Sequence, residues 1–302
     1  MLFRSYIDEG ALAAIDVVSK VVPYKKIHAV GYCLGGTLLA IAAATMARRG
    51  DDRLKSITLF AAQTDFTEAG ELLLFIDESQ VTFLEDHMWY SGYLDTKQMS
   101  GAFQLLRSND LIWSRLIHEY LLGKRQPMFD LMAWNADATR MPYRMHSEYL
   151  RKLFLGKELS RARFKVNGRP VAISDIHCPA FLVSTVKDHV APWRSVYKFN
   201  LASDAEEITF VLTSGGHNAG IITEPDHPRR TYQVSLRKER EKYIDPDTWR
   251  RTVSVKKGSW WLEWREWLVE KSNGETPPPA MGAPEDGIEP IMDAPGSYVL
   301  MD

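Results

Sequence analysis

The chain has 302 residues, 45% of them hydrophobic and 25% charged, which are ordinary values for a globular protein able to bury a substantial core. A formal net charge of −2 gives no electrostatic footing for nucleic acid or an anionic membrane surface as partner. Two cysteines far apart, Cys33 and Cys178, argue against a disulfide framework and a zinc site and for a reducing compartment.

In chain order, Arg4, Asp8 and Glu9 interrupt any apolar leader, so no secretory signal is read. Ile7, Ala11, Ile15, Val18 and Val22 recur at helical spacing, which predicts an amphipathic helix over residues 5–22 that Pro23 ends. Residues 27–32 form a short apolar run suited to a buried parallel strand. Residues 34–49 are small and apolar, with Arg48 and Arg49 at the C-terminal end and Gly50 placed to stop a helix. The longest apolar run, residues 38–47, is too short to span a bilayer, and the expectation is a soluble, cytoplasmic protein. Further strands are predicted over 56–62, 179–186 and 208–213.

Between the second and third strands lie about 110 residues, too many for a loop. They are rich in Trp, Tyr and Met and carry helical patterns such as 109–122, so a mainly helical cap is expected over 66–178. The core is then expected from 1–65 and 179–271, closed by a Trp-rich helix after Gly258. A Pro-, Gly- and acid-rich tail follows over 272–302.

The chemistry concentrates at Gly31-Tyr32-Cys33-Leu34-Gly35, a G-x-[S/C]-x-G turn between a predicted strand and a predicted helix. A nucleophile on such a sharp turn needs small neighbours and permissive backbone angles. Placed near a helix N-terminus, a thiol is pushed toward the thiolate, and the Leu34 N–H faces a developing oxyanion. The bland alternative is an inert buried cysteine, but the strand–turn–helix setting favours the nucleophile.

In the α/β-hydrolase order, nucleophile, acid and base follow successive strands. Asp188 follows the third strand in Lys187-Asp188-His189-Val190-Ala191-Pro192-Trp193, and His217 follows the fourth in Ser214-Gly215-Gly216-His217-Asn218-Ala219-Gly220. Both sit beyond strand C-termini, where open parallel sheets bind ligands. Asp188 could instead only cap the next helix, and Asp65 after the second strand is a rival acid. His189 reads as a surface residue and His28 as structural, and His87, His118, His146, His177 and His227 show no ligand spacing, so no metal and no cofactor are implied.

Six segments together resemble the polyhydroxyalkanoate synthase family. They are Gly31 to Thr37, Ser108-Asn109-Asp110-Leu111-Ile112-Trp113, Phe129 to Thr139 with Trp134-Asn135, Asp188 to Trp193, Gly216 to Gly220, and Gly258-Ser259-Trp260-Trp261. The resemblance runs nearly the whole chain, including Ala294 to Tyr298, and is nearest to the class I short-chain-monomer type. It implies polymerisation of (R)-3-hydroxyacyl-CoA into a storage polyester with release of CoA, by a homodimer at the surface of cytoplasmic granules. By position, Cys33 carries the growing chain as a thioester and His217 deprotonates it. Asp188 either orients His217 or helps activate the 3-hydroxyl of the incoming unit. A thioesterase, a polymer depolymerase or an inactive granule-associated fragment remains as an alternative.

Members of that family are considerably longer and carry further sheet strands ahead of the nucleophile strand. The resemblance therefore implies that residues 27–32 form an exposed apolar edge and that Leu34 is one oxyanion donor without its usual companion. The chain by itself is expected to be aggregation-prone and weakly active.

Overall fold

The computed structural model describes residues 2–96, 98, 101, 112–114, 116–124, 127–136 and 140–300. Its centre is a six-stranded sheet: β1 (Ile27–Tyr32), β2 (Leu54–Phe60), β3 (Ala180–Lys187), β4 (Glu207–Gly216), β5 (Thr231–Lys238) and β6 (Val255–Lys257). Spatial order equals chain order. The first four strands are parallel, whereas β5 and β6 return antiparallel.

The four parallel strands are those expected from the apolar runs, the first with the expected bounds and the other three with ends shifted by one to three residues. Their interiors are apolar without alternation because both faces are covered, and Phe181, Leu182, Val183 and Val211 are fully buried. Strands β5 and β6 were not expected. Thr231–Lys238 does alternate, with Tyr232 and Val234 among its apolar members, but Leu236 is exposed and Gln233 buried, so a period-2 pattern is weak there.

Helices cover both faces. The predicted first helix spans Phe3–Ser5, a π-helical stretch Tyr6–Leu12, and α1 (Ala13–Val21), and it buries Phe3, Ile7, Leu12 and Ile15. It packs on α2 (Leu34–Arg48), whose residues Leu39 to Met46 are all buried. Small side chains at Ala40, Ala42, Ala43 and Ala44 suit this helix to lie between the sheet and the first helix. Later in the chain come α3 (Glu78–Ser91), α4 (Pro246–Thr252) and α5 (Trp261–Lys271), and α5 covers the sheet face that carries Phe60 and Phe181. Trp260 and Trp264 meet Phe60 edge-on at 5.1 Å, and Trp267 meets Phe181 at 5.2 Å. Trp249 joins Tyr197 and Phe210. Most of the C-terminal tryptophan wealth is therefore ordinary core.

The long segment between β2 and β3 consists, in its described part, mostly of helical turns with two small two-stranded ladders. These turns include α3, Asp130–Ala136, Tyr143–Glu148 and the π-helical Tyr149–Leu155. Of the predicted helix over 109–122, residues 109–111 and 115 lie outside the described residues, as do Ser108, Asn109 and Asp110 of one motif and Asp137 to Thr139 of another. Leu116–Leu121 is π-helical. Among the described residues no helix is long and apolar enough to cross a membrane.

Strand β1 pairs with β2 along one side, and no described strand lies on its other side. Val30 on this edge is 49% exposed.

Candidate active site

Sheet register lines up the C-terminal ends of the strands. Tyr32 pairs with Phe60 across β1 and β2, and Lys187 with Gly216 across β3 and β4, just past a bulge. Cys33, Asp188 and His217 are each the residue that follows the last residue of its strand. Three positions separated by 155 and 29 residues in sequence thus emerge from one edge of one sheet because parallel strands end together.

The turn at Cys33 is strained. Cys33 has φ 53° and ψ −122°, a region that side chains other than glycine seldom occupy. Its N–H donates to the Phe60 carbonyl at 2.8 Å, and its own carbonyl accepts from Gly36 and Thr37 as the first acceptor of α2. Leu34 opens that helix, so its N–H has no intrahelical acceptor and projects from the positive end.

The glycines of the turn are not equivalent, which corrects the symmetric reading of the motif. A Cβ on Gly31 would sit 2.6 Å from the Gly36 Cα, and one on Gly36 would sit 2.4 Å from the Ala62 Cβ and 2.9 Å from the Gly31 carbonyl oxygen. A Cβ on Gly35 would meet nothing within 4 Å. The close approach is between Gly31 and Gly36, where strand and helix cross.

Asp188 is buried with both oxygens engaged. Oδ1 accepts the Val190 N–H at 2.9 Å and the Ala191 N–H at 2.8 Å, and Oδ2 accepts from the Thr185 hydroxyl at 3.3 Å. Oδ2 also lies 2.8 Å from His217 Nδ1. The two Oδ1 bonds close a turn within the loop rather than cap the next helix, which starts at Trp193 with Pro192 as its N-cap and no side-chain cap. The other ring nitrogen of His217, Nε2, is left for Cys33, with which the imidazole is hydrogen-bonded. Burial pulls the His217 imidazole toward the neutral form, but hydrogen bonds and charge from Asp188 and Cys33 outweigh it and raise the pKa to about 10. The arrangement is a sulfur nucleophile, a strongly basic imidazole that can take its proton, and a carboxylate that fixes the tautomer of that imidazole.

The sequence pattern of the alpha/beta hydrolase fold matches residues 4–222, most of the chain. The chain belongs to the α/β-hydrolase fold family. Among characterised relatives it is 37% identical to the poly(3-hydroxyalkanoate) polymerase subunit PhaC of Rhizobium meliloti, over 98% of this chain and 47% of that protein. It is 38% identical to the subunit of the same name from Rhizobium etli, over 99% of this chain and 46% of that protein. The poly(3-hydroxyalkanoate) polymerase of Methylorubrum extorquens is 38% identical over 99% of this chain and 48% of its own length. The chain spans about half the length of the curated relatives it matches.

Within this α/β-hydrolase frame the other candidates fall away from the nucleophile. Asp65 accepts from the Thr67 N–H at 2.7 Å and faces Lys198 at 3.8 Å. His189 Nδ1 lies 3.6 Å from Glu71. His28 bridges Ser56 at 2.7 Å and Ser272 at 3.3 Å, as a structural residue does. Cys178 sits just before β3, at the opposite end of the sheet, and burial pushes its thiol up to about 11. A cleft of about 420 Å³ lined by Lys26, Asp52, His177, Cys178 and Glu206 lies at that same far end.

Three aromatic residues near the site were not foreseen as site residues. The Tyr32 ring lies 5.3 Å from the His217 ring, and the Trp134 ring lies 6.3 Å from Tyr32 on its outer side. Tyr149 packs edge-on to Phe66 and Phe154, and its phenol is pushed up by burial and by the charge of Cys33. Trp134 and Tyr149 both come from the long segment between β2 and β3. Trp134 lies in a segment already singled out by the family resemblance, whereas nothing local marks Tyr149, whose nearness to Cys33 is a product of tertiary folding.

Proposed function

We propose that this chain performs the acyl transfer of a poly(3-hydroxyalkanoate) polymerase, joining (R)-3-hydroxyacyl units from CoA thioesters into polyester. The observation that carries this reading is a cysteine at the nucleophile turn, hydrogen-bonded to His217, in a chain similar over 98% of its length to such a polymerase. Sulfur suits the task, since exchange between a CoA thioester and an enzyme thioester is close to energetically balanced and so reversible.

In this reading His217 Nε2 takes the Cys33 proton, and the thiolate attacks the thioester carbonyl carbon. The oxyanion is held by the Leu34 N–H at the head of α2. The carbon–sulfur bond to CoA breaks, and CoA leaves with the proton returned by His217. The 3-hydroxyl of a second unit then gives its proton to His217 and attacks the acyl–Cys33 thioester, forming an ester and freeing the sulfur. The full engagement of both Asp188 oxygens supports an orienting role for this carboxylate over direct activation of the hydroxyl, since its side chain has no exposed surface with which to meet substrate.

The segment 66–178 is read as a cap that shields the acyl-enzyme from water, with Tyr149 contributed near Cys33 and Trp134 beside Tyr32. Association as a homodimer at a cytoplasmic polyester granule belongs to the same reading. Its experimental test is product analysis with 3-hydroxybutyryl-CoA. CoA with insoluble polymer is expected, both lost in Cys33→Ala. CoA with free 3-hydroxybutyrate would instead make the chain a thioesterase on the same fold.

A further inference from the structure

The residue before the nucleophile does more than complete the turn. The Tyr32 hydroxyl faces the backbone carbonyl of His217 at 3.1 Å and also hydrogen-bonds the Asn218 side-chain oxygen. Its ring lies 5.3 Å from the His217 ring at an interplanar angle of 31°. One side chain on β1 thus grips the loop after β4 at three points: a carbonyl, the neighbouring amide and the imidazole face.

That loop needs an anchor. Gly215 stands at φ 109°, open only to glycine, and Gly216, paired with Lys187, is the last residue of β4, so His217 is the first residue beyond the sheet ladder. Beyond His217 the chain is held by the Gly220 N–H to the Gly216 carbonyl at 2.8 Å and by Trp260 Nε1–H to the Gly220 carbonyl at 3.0 Å. Asp188 fixes the imidazole at Nδ1. The backbone of His217 itself is tied on the nucleophile side by Tyr32.

We propose that Tyr32 is a positioning residue that sets the imidazole of His217 against the Cys33 sulfur by tying the histidine loop to the nucleophile strand. Trp134, packed on the outer side of the Tyr32 ring, links this tie to the segment between β2 and β3. Burial and the charges of Cys33 and Asp188 keep the phenol protonated, and hence a donor, throughout the physiological range. The role rests on the reading of Cys33 as nucleophile and His217 as its base, but not on the identity of the acyl substrate.

The test compares Tyr32→Phe, which keeps the ring and deletes the hydroxyl, with the unaltered chain. Alkylation of Cys33 by iodoacetamide at pH 7.5 requires no acyl substrate and is expected to slow by about tenfold, the size of one well-placed hydrogen bond. The His217 imidazole, followed by NMR of the labelled ring, is expected to titrate at lower pH than in the parent. With an acyl-CoA substrate kcat is expected to fall while KM stays within about twofold, because the hydroxyl acts on the catalytic pair rather than on binding. A residue of merely structural importance would lower thermal stability and leave these readouts in proportion to the folded fraction.

Should Tyr32→Phe fold poorly, Asn218→Ala removes one of the two acceptors and carries the same expectation at smaller amplitude. Parent-like alkylation and an unmoved His217 titration in a folded variant would overturn the proposal. The polymerase reading fails separately: a parent chain that yields no polymer while Tyr32→Phe still slows alkylation leaves the positioning role standing.

Discussion

His217 Nδ1 lies 2.8 Å from an Asp188 carboxylate whose side chain is wholly shielded from solvent. A buried carboxylate is tolerable only if its lone pairs are occupied, and here two backbone N–H groups, a threonine hydroxyl and the imidazole occupy them. The Asp188 loop is therefore built to be stiff, and it passes that stiffness to the histidine.

Replacing Asp188 by Ala leaves burial opposed only by Cys33, and the His217 pKa is expected to fall from about 10. Turnover is expected to drop by about a thousandfold to ten-thousandfold, as for other triads that lose their carboxylate. The sign of the stability effect follows from linkage. A histidine whose folded pKa is raised stabilises the fold fully below its unfolded pKa of 6.5 and loses that contribution as pH rises toward about 10. Urea denaturation of the parent at pH 6, 8 and 10 is expected to show this progressive loss, and Asp188→Ala is expected to show a smaller one. Parallel stability–pH curves for both would contradict the assignment.

Much of the fold was legible because its parallel strands are short and largely apolar, and three of them, β1, β3 and β4, are followed directly by Cys33, Asp188 and His217. Cys33, Asp188 and His217 could be picked out since a motif, a strand order and a chain order agreed. Strands β5 and β6 are not legible because they are antiparallel additions at the end of the sheet, with two lysines in Val255–Lys257 and a buried glutamine inside Thr231–Lys238. The Tyr32–His217 tie was illegible for a different reason: it joins residues 185 apart through a side-chain hydroxyl, and no periodicity encodes such a contact.

The unequal crowding of the turn glycines yields a paired prediction. Gly36→Ala must push a methyl against Ala62 and the Gly31 backbone, neither of which can yield cheaply, and is expected to destabilise the protein by about 3 kcal/mol. Gly35→Ala enters open space inside a helix and is expected to be neutral or stabilising by up to about 1 kcal/mol. Denaturant midpoints compared at constant m-value decide this. Equal losses at both positions would mean that the motif, not the Gly31–Gly36 crossing, sets the constraint.

Trp260 joins the core to the site. It is 1% exposed, packs on Phe60, and donates to the Gly220 carbonyl at the far end of the histidine loop. Trp260→Ala is expected to cost about 3–5 kcal/mol, as for other large buried aromatics. Trp260→Phe keeps most of the packing and deletes the hydrogen bond, so it is expected to cost only about 1–2 kcal/mol while turnover falls more than the folded fraction. Thermal melting set beside specific activity of the folded protein separates the two effects.

The outer side of β1 is an exposed apolar edge of the sheet. Among the described strands its backbone pairs with β2 alone, Val30 is 49% exposed, and Val17 and Val18 of α1 and Val269 of α5 are exposed as well. A sheet edge with such residues is a template for pairing with another chain, and natural edges are blunted by charge, above all by lysine. Val30→Lys is therefore expected to reduce self-association, with at least about a twofold gain in the fraction remaining soluble at fixed concentration. The substitution removes little buried surface, so stability is expected to stay within about 0.5 kcal/mol of the parent. Sedimentation velocity and light scattering across a concentration series test this, with Lys55→Glu on the neighbouring strand β2 as a charge-changing control. If Val30→Lys associates like the parent, pairing through β1 is not what draws the chains together, and the exposed aromatics Phe83, Trp89 and Tyr90 of α3 become the surface to alter next.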